Sequence, residues 1–216
     1  MLVDARRGLV VSGCLLAGAA VVTVLVVSPV TRPAVQAVDD AVWRWAGDVR
    51  NGPTTWAAEA LSWLGSGWVN WPLRGAAALL IAARRHWSRL LAFGLAVVTS
   101  EAAIGPVKAA YDRPRPSSAL IETSAASFPS GHAIAGAVTA VGLVLVLAPP
   151  GRARLRWEVW AVVFSTVMAL SRVYLRAHWL SDTVAGALLG AGLALGWPAL
   201  VTAARDRRAR AARPSP

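Results

Sequence analysis

His178 and Asp182 stand four residues apart, so on a helix they share one face. The carboxylate can then accept a hydrogen bond from one ring nitrogen and leave the other as a nucleophilic lone pair. That is the base–orienter logic of a catalytic triad, applied to a histidine that attacks directly. Ser171 and Arg172 come just before this pair; Lys108, Arg115 and Pro116 lie further upstream, and Pro129, Ser130, Gly131 and His132 fall between. Arg115 and Arg172 offer forked donors that match phosphate in a bidentate manner, and Lys108 offers a compact point charge. Ser130 and Gly131 open a helix, where free backbone N–H groups and a positive dipole end attract an anion, and Gly131 lets a phosphate come close to the main chain. His132 is placed to protonate a departing alkoxide. Together these groups suit phosphoryl transfer, in which catalysis is mostly positioning and charge stabilisation.

Each residue alone has an ordinary explanation. A histidine at a helix end is usually structural, and arginines near the ends of apolar runs snorkel to headgroups. The weight lies in the set: two of the three histidines and four cations, Lys108, Arg113, Arg115 and Arg172, fall in two loops that face the same way. His86, beside Arg84 and Arg85, stands apart from them.

The elements that must position this set are apolar. Hydrophobic residues make up 56% of the chain and charged residues only 15%, where a soluble domain carries roughly 25%. Lipid is therefore the expected solvent. A net charge of +11 on a soluble protein would suggest nucleic acid. Here the basic residues sit in short clusters between apolar runs, the pattern that writes membrane topology, so no nucleic-acid partner is expected. Cys14 is the single cysteine and lies inside an apolar run, which excludes an intrachain disulfide and a zinc cluster. Lys108 is the single lysine among 22 basic residues, which raises the question of what that position needs that arginine cannot give.

A spanning helix needs about 20 mostly apolar residues. Six stretches qualify: 9–27, 54–83, 87–107, 131–147, 157–175 and 179–200. The first could be read as a secretory leader cleaved after Ala37, but its length favours an uncleaved span. In the polar segment 28–53, Val35, Val38, Val42 and Trp45 recur at helical spacing, which fits either an amphipathic helix on the membrane surface or a solvated loop. Trp56, Trp63, Trp68 and Trp71 occupy the outer half of the second stretch, at headgroup level. Six spans place both termini on one side, together with Arg6 and Arg7, Arg84, Arg85 and Arg89, Arg152, Arg154 and Arg156, and Arg205, Arg207, Arg208, Arg210 and Arg213. That side is cytoplasmic by the positive-inside bias, and the loops 28–53, 108–130 and 172–178 face outward. The expected fold is an all-α, six-span transmembrane bundle with cytoplasmic termini. It forms a single membrane-embedded domain over 1–204, followed by a basic, disordered tail over 205–216.

The three motifs, in their order and spacing, resemble the signature of the type 2 phosphatidic acid phosphatase superfamily, in its integral-membrane bacterial branch. They run from Lys108 to Asp182 with no departure at a signature position. The resemblance implies that His178 forms a phosphohistidine and that Asp182 orients it. It makes His132 the general acid, which then activates water. Lys108, Arg115 and Arg172, with Ser130 and the Gly131 amide, are implied to hold the phosphate oxygens. It implies no metal or other cofactor, and a lipid phosphate or pyrophosphate as substrate, such as undecaprenyl or another polyprenyl pyrophosphate, phosphatidylglycerophosphate or phosphatidic acid. The same signature serves soluble acid phosphatases and vanadate-dependent haloperoxidases, against which six spans argue. Two alternatives to hydrolysis are a phosphotransferase that passes the phosphate to another lipid and a membrane protein that binds lipid phosphates without turnover.

Two charges lie inside spans but outside the motifs. Arg74 sits about 15 Å and Glu101 about 20 Å from the cytoplasmic ends of neighbouring antiparallel spans. They either pair, as intramembrane charges tend to, or leave Glu101 lining the cavity below Lys108. Arg176 reads as an interfacial anchor. Tyr111, Asp112 and Arg113 shape the loop, with Arg113 the one expected to reach a second phosphate.

Overall fold

The computed structural model describes residues 3–123 and 126–212. Among the described residues there are eight α-helices and no strand: α1 (Ala5–Val27), α2 (Arg32–Asp48), α3 (Gly52–Leu64), α4 (Gly67–Ala83), α5 (Trp87–Tyr111), α6 (Gly131–Leu147), α7 (Arg152–Tyr174) and α8 (Leu180–Ala211). Polar caps fix where several begin. The Asp4 carboxylate accepts the Arg7 amide at 2.8 Å, and the Asn51 side chain accepts the Thr54 amide at 3.0 Å. Helices α1, α5 and α8 are long and apolar enough to cross a membrane, and α6 is a shorter apolar helix. Val10, Val21 and Val24 of α1, Leu79 of α4, and Trp157, Trp160 and Val162 of α7 all point outward. Such a surface suits lipid, and the chain is a membrane protein.

Helix α8 is the hub, packed against α1, α5, α6 and α7. A four-residue spacing of small residues lets helices approach closely in lipid, where hydrophobic burial no longer drives association. Gly186 and Gly190 do this against α6. A Cβ at Gly186 would lie 2.7 Å from the Ser130 carbonyl oxygen, and one at Gly190 would lie 2.6 Å from that of Ile134. The start of α6 is thereby pressed onto the start of α8, which brings the second motif to the third. Helix α1 runs antiparallel along α8, and the Ser12 hydroxyl donates to the Gly192 carbonyl at 2.7 Å.

The ends of the bundle differ in charge. Arg205 donates to the Ser88 hydroxyl at 2.8 Å and Arg89 to the Val146 carbonyl at 2.9 Å, so the α4–α5 turn, the end of α6 and the end of α8 meet. The starts of α1 and α7 lie at that same end, where Asp4 and Arg154 line one cavity. The motif residues all lie at the opposite end.

Several boundaries depart from the sequence reading. The stretch 54–83 is two helices, α3 and α4, broken at Gly65 and Ser66. The break lies against the functional residues: a Cβ at Gly65 would meet His132 Cδ2 and Met168 Sδ, each at 2.8 Å. Segment 28–53 contains a true helix, α2. Its buried side chains are Asp39 and Ala46, whereas Val38 and Trp45 face outward. Helix α5 continues through Lys108 to Tyr111, so Lys108 belongs to its last turn rather than to the loop. Helix α8 runs on to Ala211, so the basic segment from Arg205 is helical where a disordered tail was expected; residues 213–216 lie outside the described residues.

Arg74 and Glu101 pair, at 2.7 Å. Arg74 also donates to the Thr139 hydroxyl at 2.9 Å, and Thr139 in turn donates to Asn70 at 2.9 Å, which ties α4, α5 and α6 together. Neutralising one partner leaves the other charge without its counter-ion, while neutralising both does not. R74Q and E101Q should therefore each lower the melting temperature in detergent, with the double variant less destabilised than the sum by about 1–3 kcal/mol. Strict additivity in that double-mutant cycle would show that the pair carries no coupling.

Candidate active site

Helix α7 ends at Tyr174, and the chain doubles back so that the Ala177 and His178 amides both reach the Arg172 carbonyl, at 3.0 and 3.3 Å. The reversal needs a left-handed residue. Arg176 supplies it with φ of 54°, a conformation that costs a non-glycine residue roughly 1–2 kcal/mol. Its guanidinium lies 3.8 Å from the centre of the Trp43 ring on α2, a stacked cation–π contact that holds the turn and anchors Arg176. His178 is thereby turned inward and is almost fully buried.

Asp182 is the third residue of α8 and has no exposure to solvent. A carboxylate in the first helical turn suits the positive dipole end, and its Oδ2 accepts the Trp179 amide at 2.9 Å. Oδ2 also accepts the Ser127 hydroxyl, and Oδ1 accepts Arg113 Nη1 at 2.6 Å. His178 Nδ1 lies 3.6 Å from Oδ2, longer than a hydrogen bond, and 3.5 Å from the Ser127 hydroxyl. The other ring nitrogen, Nε2, is 3.2 Å from Arg115 Nη1. A guanidinium only donates, so Nε2 must present its lone pair and Nδ1 must carry the proton. The tautomer is the one a nucleophile needs.

The cations surround this ring from three elements. Arg115 donates to the Ala177 carbonyl at 2.6 Å, which places it over His178. Lys108, at the end of α5, donates to the Ala126 carbonyl, and Arg172, at the end of α7, donates to the Ser62 hydroxyl. His132 Nε2 lies 3.2 Å from the Ser62 carbonyl oxygen, so His132 and Arg172 converge on one residue of α3. Ser130 is fully buried, and its hydroxyl caps its own helix by accepting the Ala133 amide at 3.4 Å. The Ser130 amide donates to the Asp182 carbonyl at 3.1 Å, a direct link between the two motifs. The next two amides, of Gly131 and His132, have no acceptor within the helix, as at any helix start.

All eight motif residues picked from the sequence thus lie at one end of the bundle, on α5, α6, α7, α8 and the loops between. Arg113 differs from expectation: both of its terminal nitrogens are committed to carboxylates, those of Asp182 and Asp39, rather than left for a second phosphate. The sequence reading missed Asp39, Ser62 and Ser127. Asp39 carried a signal, since a carboxylate one turn from Val35 and Val42 breaks the apolar stripe of an amphipathic helix. Ser62 and Ser127 carried none.

A family model described as the PAP2 superfamily matches residues 89–206. Among solved structures, a transmembrane PAP2-type phosphatidylglycerolphosphate phosphatase from Bacillus subtilis superposes with a TM-score of 0.73 at 25% identity, over 91% of this chain and 96% of that one. LpxE from Aquifex aeolicus superposes with a TM-score of 0.60 at 21% identity, over 73% of this chain and 92% of that one. No curated protein matches the chain.

Burial draws the His178 pKa down to about 4; Asp182 raises it, and Arg115 and Arg172 lower it further. A lowered imidazole pKa keeps the ring neutral as pH falls through the ordinary histidine range. In a ¹⁵N NMR titration the His178 ring should stay neutral at pH 5.5, where an exposed histidine is mostly protonated. A midpoint near the model-peptide value, about 6.5, would contradict this burial.

Proposed function

The chain belongs to the PAP2 superfamily, and from that premise we propose that it hydrolyses a lipid phosphate or pyrophosphate at the extracytoplasmic membrane face through a phosphohistidine, without a metal ion. One observation carries the reading: His178 turns a lone pair toward a cluster of cations while its other nitrogen faces a buried carboxylate. Nε2 attacks phosphorus, and the bond from phosphorus to the lipid oxygen breaks. Arg115, Arg172 and Lys108 exchange their present neutral oxygen acceptors for phosphate oxygens, a trade that favours the charged acceptor. The Gly131 amide and the dipole of α6 add to this charge stabilisation, and the Ser130 hydroxyl holds the helix start that presents them.

His132 supplies the proton to the departing oxygen. Its Nε2–H donates to the Ser62 carbonyl, so Nδ1 delivers the proton from the doubly protonated ring, a form that the charge of a bound phosphate would favour. The neutral ring then takes a proton from water as the water attacks phosphorus, the phosphorus–nitrogen bond breaks, and phosphate departs with His178 restored. Asp182 holds the proton-bearing side of the His178 ring throughout. The basic clusters at the far end of the bundle support a six-span arrangement with cytoplasmic termini, which turns the site outward. That face suits prenyl pyrophosphates, phosphatidylglycerophosphate and phosphatidic acid, whose shared feature is a terminal phosphate on an apolar tail. The Bacillus subtilis neighbour, described as a phosphatidylglycerolphosphate phosphatase, supports this substrate class.

Purified protein in EDTA should release phosphate from at least one of these lipids. H178A should lose at least about three orders of magnitude in turnover, since no nucleophile remains, and H132A about 10²–10⁴-fold. Near-normal turnover by H178A with metal chelated would reject the mechanism. Phosphate appearing on an added acceptor lipid, in place of free phosphate, would make the protein a transferase.

A further inference from the structure

Asp39 lies outside the three motifs and Arg113 holds no signature position in the first, yet Arg113 is bound to Asp182 more closely than His178 is, and Asp39 is bound to Arg113. Arg113 places Nη1 at 2.6 Å from Asp182 Oδ1 and Nη2 at 2.8 Å from Asp39 Oδ2. Ser181, next to Asp182, closes the bridge. Its hydroxyl accepts from Arg113 Nη1 at 2.7 Å and donates to Asp39 Oδ2 at 2.6 Å, while its amide donates to Asp39 Oδ1 at 2.9 Å. Gln36 of α2 accepts from Nη2 at 2.9 Å, and the Trp179 ring lies 5.6 Å from the guanidinium carbon. The side chains of Asp39, Asp182 and Arg113 are 1%, 0% and 11% exposed, so water screens these charges weakly.

We propose that Asp39 and Arg113 are positioning residues that set the orientation and charge balance of the His178–Asp182 pair from helix α2. The inference rests on the proposed reaction and deepens it. A single arginine on Asp182 would fix the carboxylate but would also oppose the positive charge that develops on the His178 ring as Nε2 bonds to phosphorus, which the pair must stabilise. Asp39 returns the negative charge, so that Arg113 acts as a rigid, electrically neutral clamp. The fork geometry matters, because only a guanidinium can give one nitrogen to each of two carboxylates in a fixed plane. Helix α2, which shows Val38 and Trp45 to the surroundings, is thereby part of the catalytic end rather than a detached surface helix.

The charges facing His178 and Asp182 from other elements are Lys108 on α5, Arg115 in the loop and Arg172 on α7, with the titratable His132 on α6; none is altered by changing Asp39 or Arg113. The two changes should therefore shift the ring in opposite directions. R113Q removes a positive charge and should raise the His178 midpoint by roughly one unit from about 4. D39N removes a negative charge and should lower the midpoint, so that the ring is mostly neutral at pH 4, where the wild type is about half protonated. The double variant D39N/R113Q should return close to wild type. Both singles should lose about 10–100-fold in kcat, with KM changed less than about threefold, as expected from loss of orientation. R113K keeps the charge without the fork, so it should lose kcat while keeping the wild-type midpoint.

The titration is read by ¹⁵N NMR of the His178 ring, against only His86 and His132, and turnover by phosphate release. Midpoints that move together, or do not move in correctly folded protein, overturn the inference, as does R113K behaving like R113Q in the titration. Opposite shifts in a wild type that releases no phosphate would sink the proposed reaction and leave the clamp standing. If D39N and R113Q do not fold, R113K carries the test through its kcat and midpoint.

Discussion

A carboxylate with no exposure to solvent must be satisfied, and much of the motif-bearing end of this bundle is arranged around Asp182. Moving an ion that size out of water costs several kcal/mol even after relaxation. The return comes from an arginine, a serine hydroxyl and the Trp179 amide, contributed by the α5–α6 loop and the start of α8. Because these donors come from separate stretches of chain, the carboxylate can occupy its position only when the loop has closed over α8. His178 inherits that order. Its own distance to Asp182 is long, so the ring is held as much by Arg115, by burial and by the turn at Arg176 as by its carboxylate.

The same closure depends on backbone contact elsewhere. Gly186 and Gly190 allow α6 to lie against α8 at a separation no side chain would permit, and the Ser130 amide can then reach the Asp182 carbonyl. The break at Gly65 does the corresponding job for α3, bringing Ser62 to both His132 and Arg172. In lipid, where apolar side chains gain little by meeting one another, such close approach and buried polar links such as Arg74–Glu101 hold helices in register.

The motif residues were legible because their chemistry and spacing are local: a histidine and an aspartate one turn apart, and a serine and glycine at a helix start. The apolar runs were legible because long uncharged stretches have few alternatives. What lay hidden was tertiary. Arg113 looked like a spare cation near a phosphate site, since nothing local announces that a helix seventy residues earlier brings Asp39 to meet it. Ser62 and Ser127 act through a main-chain carbonyl or a single hydroxyl, and serine is too common to signal either use. The second apolar stretch read as one span because hydropathy averages across a glycine; the break answers to the bulk of His132 and Met168, which arrive from α6 and α7.

The charges at this centre also balance in a way that favours a doubly charged guest. Arg113, Arg115, Arg172 and Lys108 face two carboxylates, Asp39 and Asp182, with His178 held neutral by burial. Two positive charges are left over, and both carboxylates are taken up by the Arg113 clamp, so the surplus falls on the groups nearest Nε2. Those groups now donate to neutral oxygens of Ala126, Ala177 and Ser62, and the buried Nε of Arg172 has no hydrogen-bond partner among the described residues. An anion that took those places would gain the full electrostatic attraction at little cost in reorganisation. A phosphate monoester dianion carries that charge and offers enough oxygens for the three cations. A lysine at the end of α5 would add a compact charge to such an anion without a third planar fork beside those of Arg115 and Arg172.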